Sequence, residues 1–197
     1  MKAGGGLNVF AGGQIILHRL SLKTQGEDIA RTLVAYISET GNTKKIAQAI
    51  YDEVPGEKDL MPICDVPDSS IYDLIFLGFP VHQFGPDKKA KLRMRQHCVP
   101  GRKVALFITH AAPEGEPELQ EWLSKFRECA SGAEMVGLFD CQGQMSKPVK
   151  MVLRLSRDKK LRDWAKKDSS KGQPDDSRIT KAREFAREML EKVGKKA

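Results

Sequence analysis

The apolar positions of this chain form short continuous runs that alternate with stripes at helical spacing. Four runs are rich in β-branched and aromatic residues, which is typical of strands, and residues 57–63 form a plausible short strand between the first two of them. Continuous apolar runs of this kind indicate strands buried on both faces, as in a parallel sheet. The predicted strands are residues 32–37, 57–63, 71–78, 102–109 and 134–140.

Helical stripes separate most of these strands. They predict helices at residues 43–54, 86–97 and 117–130, and a last helix that begins near residues 174–177. The space between the second and third strands is too short for a full helix, so one crossover should be reduced. Strands that alternate with helices indicate an α/β class built on a doubly wound five-stranded parallel sheet.

Two segments do not fit this alternation. Residues 1–30 contain several glycines and show no clear period, so we expect an N-terminal extension that is not part of the fold. Residues 31–197 should form one domain. Within it, the apolar pattern weakens at about residues 146–173, where many Lys and Arg residues form a basic insertion before the last helix.

The positive charge of the chain is concentrated near its C-terminus. The formal net charge is +7, and residues 151–197 alone carry 15 basic and 8 acidic residues. Residues 31–150 are nearly neutral, with 15 basic and 16 acidic residues. Such asymmetry indicates either a docking surface for an acidic partner or an ordinary solvated face. A redox partner protein is the partner that we expect, and nucleic acid is not.

Cysteine usage and hydropathy indicate a compartment. The four cysteines form no CxxC pair, which is typical of free thiols in a cytoplasmic protein. No apolar run reaches the roughly 18 residues that a membrane span needs. The sequence therefore predicts a cytoplasmic protein without a membrane span.

The loop after the first strand contains the strongest chemical signal. It reads Ser38-Glu39-Thr40-Gly41-Asn42-Thr43 and leads directly into a predicted helix. A helix N-terminus presents free N–H groups and a positive dipole end, which favour anions. Hydroxyl groups add donors, and Gly41 allows a tight turn. The loop lacks both GK[ST] and GxGxxG, so it suits one terminal phosphate held by neutral donors.

This loop resembles the phosphate loop of flavodoxins, a Ser/Thr-x-Thr-Gly-x-Thr sequence that binds the phosphate of FMN. The resemblance covers about residues 31–143 and the last helix. It implies a flavodoxin-like fold with strand order 2-1-3-4-5 and FMN at the switch between strands 1 and 3. The alternative is a capped turn without a ligand, because hydroxyl residues are common at N-caps. The implied phosphate-loop residues are Ser38, Glu39, Thr40, Gly41, Asn42 and Thr43.

The resemblance also implies that two further loops flank the flavin ring. Family members often have a stacking tyrosine in the loop after the fourth strand, and this chain has none there. His82 would hydrogen-bond the flavin or assist proton transfer, or it is a surface histidine without a role. The implied residues are Phe79, Pro80, Val81, His82, Gln83 and Phe84 in the first of these loops, and Thr109 and His110 in the second.

Two functions follow from the resemblance. The first is an FMN-binding electron carrier that serves a partner redox enzyme. The alternative is a small FMN-dependent oxidoreductase that acts directly on a quinone or a tetrapyrrole. The carrier is favoured because the loops show no acid–base constellation, whereas the long basic insertion favours something more than a minimal carrier. No residue is assigned as catalytic, and no metal site is expected.

Overall fold

A parallel sheet forms the centre of the molecule. The computed structural model describes residues 31–194, and within them five strands form one sheet in the order β2-β1-β3-β4-β5. Every neighbouring pair is parallel. The strands are β1 (Thr32–Tyr36), β2 (Lys58–Pro62), β3 (Leu74–Pro80), β4 (Lys103–His110) and β5 (Glu134–Gln142). The predicted fold class and strand order are confirmed.

The helices of the same residues cover both faces of the sheet. The link between β2 and β3 contains only a short 3₁₀ turn, Ile63–Asp65, so the reduced crossover is also confirmed. None of the helices in residues 31–194 is long and apolar enough to cross a membrane. The helices are α1 (Asn42–Glu53), α2 (Lys88–His97), α3 (Leu119–Cys129), α4 (Lys147–Arg154), α5 (Lys159–Lys167) and α6 (Asp176–Gly194).

Two apolar cores lie on opposite faces of the sheet. On one face, α2 and α3 pack on alternate strand residues, with Phe126 of α3 near Phe79 of β3. On the other face, α1 and α6 pack on the remaining strand residues, and Phe185 meets Phe76 edge to face at 6.0 Å. This division explains why the strands read as continuous apolar runs, since successive side chains enter different cores.

The basic segment between β5 and α6 folds into α4 and α5. The two ends of this segment meet at one hydrogen bond, from the Gln144 N–H to the Gln173 carbonyl at 3.0 Å, and we call this point the neck. Its second helix, α5, is anchored on the domain. There Trp164 packs edge to face on Trp122 at 6.4 Å, and Lys160 forms ion pairs with glutamates of the loop after β4. We call residues 146–173 the basic insertion.

The expectation about residues 1–30 falls outside the described part of the chain. The predicted boundaries of the strands and helices are close to the observed ones. The largest shift is at β3, which runs from Leu74 to Pro80 rather than over residues 71–78. The fold therefore brings the carboxyl ends of β1, β3, β4 and β5 to one edge of the sheet, where the predicted loops lie.

Candidate functional site

A cavity of about 130 Å³ lies at the carboxyl edge of the sheet. The loops after β1, β3, β4 and β5 all contribute to it, as expected at the switch point of a doubly wound sheet. Predicted residues that line it are Glu39, Thr40, Asn42, Thr43, Pro80, Val81, His82, Thr109 and His110. The structure thus brings nine of the fourteen predicted residues together around one cavity.

The loop after β1 turns tightly into α1. Gly41 has φ of 89°, a left-handed conformation that strains any residue with a Cβ. The Ser38 hydroxyl accepts hydrogen bonds from the N–H groups of Gly41 at 3.1 Å and Lys44 at 3.3 Å. The Lys45 N–H makes the first intrahelical bond, to the Gly41 carbonyl, so the N–H groups of Asn42 and Thr43 have no carbonyl partner within the helix and can face an anion.

The loop after β5 supports the loop after β1 from the side. The Asn42 amide nitrogen donates to the Gln144 carbonyl at 2.9 Å and to the Thr40 hydroxyl at 3.1 Å. A Cβ on Gly143 would lie 2.8 Å from that nitrogen, so only glycine permits this close approach. The side chain of Asn42 therefore helps to position the loop through contacts with two other segments.

Residues at the end of β4 are buried and fully engaged. The hydroxyl oxygens of Thr109 and Thr43 lie 2.8 Å apart. The His110 side chain is completely buried, with Nδ1 3.0 Å from the Ala112 carbonyl and Nε2 3.3 Å from a carboxylate oxygen of Asp140. Both ring nitrogens of His110 thus have partners, which suits a residue that shapes the cavity wall.

The loop after β3 ends in a tight turn. His82 and Gly85 exchange backbone hydrogen bonds of 2.9 and 3.1 Å, while Gln83 and Phe84 have φ values of 45° and 68°. Left-handed conformations cost free energy in residues other than glycine, and they concentrate at functional sites. His82 Nε2 lies 3.7 Å from a Glu39 carboxylate oxygen, so this loop meets the loop after β1.

The remaining predicted residues lie beside the cavity rather than in its lining. Phe79 is fully buried in the core, so its side chain is not available to a ligand. Phe84 packs on the Trp122 ring at 5.0 Å. Together with Gln83 it lines a neighbouring groove of about 640 Å³, which shares Glu39 and His82 with the cavity. Ser38 and Gly41 determine the conformation of the loop after β1, through the hydrogen bond between them and the left-handed backbone of Gly41.

The sequence reasoning missed several residues of the site. Lys45 and Lys147 line a second groove, of about 430 Å³, beside Gly41. The phosphate loop therefore has two cations near it as well as neutral donors. The turn after β5 and the start of α4 also line the cavity, through Gly143, Gln144, Met145, Ser146 and Val149. The available signal was the position of residues 141–145, which directly follow a predicted strand.

These residues fit a phosphorylated, partly apolar ligand. The phosphate would meet the α1 N-terminus, the hydroxyl groups of its loop and the two lysines. A planar ring would meet apolar groups such as Pro80, Val81 and Val149, with His82 at its side. No group of His, Cys, Asp or Glu residues among those described could hold a metal ion.

Sequence and structure comparisons agree with this geometry. A family profile described as a flavodoxin domain matches residues 33–187. The flavodoxin-like domain-containing protein BilS of Clostridioides difficile (strain CD3) is 34% identical over 174 residues. That alignment covers 83% of this chain and 98% of BilS.

Solved structures show the same fold at lower identity. Oxidised flavodoxin 2 from Bacillus cereus matches with a TM-score of 0.55 and 22% identity, over 83% of this chain and 99% of that one. The Streptococcus pneumoniae TIGR4 flavodoxin matches with a TM-score of 0.53 and 16% identity, over 83% and 99%. At these identities the likeness establishes the fold alone.

Proposed function

Because this chain belongs to the flavodoxin family, whose cofactor is FMN, we propose that it is an electron carrier that serves a partner redox protein. The observation that carries the proposal is the loop of residues 38–43 at the α1 N-terminus, with its left-handed Gly41 and flanking lysines. Bound FMN supplies electron transfer through its ring system, and the protein supplies binding and orientation.

The residues of the cavity suit binding and orientation more than acid–base catalysis. His110 is buried and has partners at both ring nitrogens, so it cannot approach a substrate in this arrangement. His82 is the histidine at the cavity that remains partly exposed, and it faces Glu39. A carrier has to bind and orient its cofactor and needs no proton donor positioned on a substrate, which agrees with the side chains of this cavity.

We place this activity in the cytoplasm, since all four cysteines, which lie in the described part of the chain, are unpaired.

One observation favours the alternative of a small FMN-dependent oxidoreductase. The groove next to the cavity is lined by Phe84, Lys88, Lys91 and Lys125, so it combines an aromatic surface with three cations. An anionic tetrapyrrole would meet these cations, and the ring of a quinone would meet the aromatic surface. This function would require turnover with a reductant alone and without a partner protein.

The cofactor part of the proposal is tested by direct identification. The purified protein is denatured, and the released chromophore is identified by mass. Apoprotein is then titrated with FMN, FAD and riboflavin. We expect tight binding of FMN and much weaker binding of riboflavin, because riboflavin lacks the phosphate. Release of FAD, or no uptake of FMN, would contradict the proposal.

The choice between carrier and enzyme is tested by reoxidation kinetics. The FMN-loaded protein is reduced without oxygen and mixed in a stopped-flow instrument with redox proteins or with small quinones and tetrapyrroles. A carrier should react faster with a redox protein, at a rate that falls with added salt. Fast, saturable and salt-independent reoxidation by a small acceptor alone would favour the enzyme.

A further inference from the structure

The helix α4 exposes an apolar face beside the cofactor cavity. Amphipathic helices of globular proteins normally bury their apolar face, but no residue of α4 is buried. The following residue, Leu155, is also exposed. The exposed fractions are 45% for Val149, 63% for Met151, 65% for Val152 and 81% for Leu155.

The orientation of α4 follows from its helical geometry and its polar contacts. At about 100° per residue, Lys147, Lys150 and Arg154 lie on one side of the helix, and Val149, Val152 and Leu155 lie on the other. Lys150 pairs with Asp168, which follows α5, so the basic side is held against the insertion. The apolar side is left without a cover among residues 31–194.

This apolar face adjoins the cavity directly. Ser146, which caps α4, and Val149, in its first turn, both line the cavity. On the other side of the cavity, Lys88, Lys91 and Lys125 line the groove that shares Glu39 and His82 with it. Cations and apolar side chains therefore lie on two sides of the place where the cofactor would be reached.

The basic insertion concentrates charge on this surface. Residues 146–173 contain ten basic and three acidic residues, a net charge of +7 that equals that of the whole chain. A second copy of the chain would bring two such segments together, and their repulsion opposes self-association.

We propose that α4 is the docking helix for a redox protein that presents an apolar patch ringed by carboxylates. The inference rests on the proposed carrier function and adds the chemistry of the partner. Apolar contact with Val152 and Leu155 would hold the complex, and the insertion would attract the carboxylates. Docking there places the partner beside the cavity, where electrons have the shortest path.

The test uses two heme proteins of opposite surface charge as acceptors. The soluble domain of cytochrome b5 has a heme edge ringed by carboxylates, and cytochrome c has one ringed by lysines. The FMN-loaded full chain is reduced without oxygen, and heme reduction is followed by stopped flow. Each electron that leaves the reduced cofactor converts one ferric heme to ferrous. Cytochrome c has the higher potential, so a faster reaction with cytochrome b5 would not come from driving force.

The helix itself is tested by V152S/L155S, with I71S as the matched control. Ile71 is 49% exposed and precedes β3, at the edge of the sheet opposite the cavity. We expect the wild type to reduce cytochrome b5 at least tenfold faster than cytochrome c at low salt. The double variant should lose about tenfold in its rate with cytochrome b5, whereas I71S should not change. FMN affinity should be the same in all three.

Several outcomes would overturn the proposal. An equal or faster reaction with cytochrome c, or an unchanged rate in the double variant, would exclude docking on α4 while leaving the carrier function in place. Sedimentation with phosphatidylglycerol vesicles, or a concentration-dependent dimer, that V152S/L155S abolishes would assign the face to a membrane or to a second copy. Reduction of small quinones but of neither cytochrome would reject the carrier function itself.

Discussion

The hydroxyl oxygen of Thr43, in the first turn of α1, lies 2.8 Å from that of Thr109, at the end of β4. Both side chains are buried, at 1% and 3% exposure. This hydrogen bond ties the helix that starts the phosphate site to a strand that forms the cavity wall. It links two segments separated by 66 positions in the sequence.

Removal of one partner of this pair should destabilise the protein. T109V keeps the shape of the side chain but leaves the Thr43 hydroxyl buried without that partner, which costs about 1–3 kcal/mol. Urea unfolding of the apoprotein measures the loss. The double variant T43V/T109V removes both partners, so it should recover part of the stability. A double variant less stable than T109V would contradict this account.

The left-handed Gly41 should control cofactor affinity through backbone strain. Nothing lies within 4 Å of a Cβ placed there, so G41A carries a conformational cost without a clash. That cost is about 1–2 kcal/mol. If the loop of the free variant leaves this conformation and has to regain it on binding, the cost is equivalent to about a 5- to 30-fold loss of FMN affinity. G41N should lose less, because asparagine adopts this conformation more readily. Fluorescence titration measures both, and equal losses would point to another cause.

The lysines beside the phosphate loop should act on the phosphate alone. K45Q and K147Q should each lower FMN affinity by about two- to fivefold at low salt, since exposed charge pairs contribute up to about 1 kcal/mol. Riboflavin affinity should not change. K192Q is the control, because Lys192 lines a pocket with residues at the amino ends of β4 and β5. Equal losses for FMN and riboflavin would show that these variants disturb the loop.

His97 should make the stability of the protein fall at acidic pH. Burial lowers the pKa of His97, with a smaller contribution from Arg93, and Nδ1 has no hydrogen-bond partner. Between the lowered pKa of the folded protein and about pH 6.5, the unfolded chain binds a proton at this residue while the folded protein does not. Stability should therefore decrease from pH 6.5 down through the lowered folded pKa. Urea unfolding at pH 7.5 and 5.5 should show a smaller decrease for H97Q, whereas an equal decrease would exclude this role.

The buried cysteines should resist modification at pH 8. Burial raises the pKa of the thiols of Cys98 and Cys141 to about 12, so both remain protonated. Cys64 is exposed and should react rapidly with a disulfide reagent. C64S should lose the rapid phase of the labelling reaction. The wild-type protein should show four reactive thiols once it is denatured. Rapid labelling of Cys141 in the native protein would show that the end of β5 opens.

The first loop was predictable because local residues determine it. Its hydroxyl groups, Gly41 and the flanking strand and helix are contiguous, so they indicate a strand, a turn and a helix start without knowledge of other segments. Lys147 and Val149 were not predictable as site residues. Their positions depend on how the basic insertion packs, and its weak periodicity gave no orientation.

The aromatic residues in and after β3 show a second limit of prediction from the sequence. Side chains alternate across a strand, so Phe79 and Phe76 had to enter opposite faces. The sequence does not say which face opens toward a ligand and which is covered by α3. Phe84 adopts a left-handed conformation that is uncommon for an aromatic residue, and its contact with Trp122 is 38 positions away in sequence. Tertiary packing determines the direction of both side chains.

The neck between Gln144 and Gln173 marks where the proposed partner-binding segment leaves the sheet. Because the ends of this segment are hydrogen-bonded to each other, its exposed positions, such as Val152 and Leu155, can change without displacing β5 or α6. The contacts of Trp164 and Lys160 with the rest of the domain have to remain, since they hold the segment in place. The proposed choice of partner can therefore diverge by substitutions on one exposed surface, while the phosphate loop of Ser38 to Thr43 is inherited unchanged.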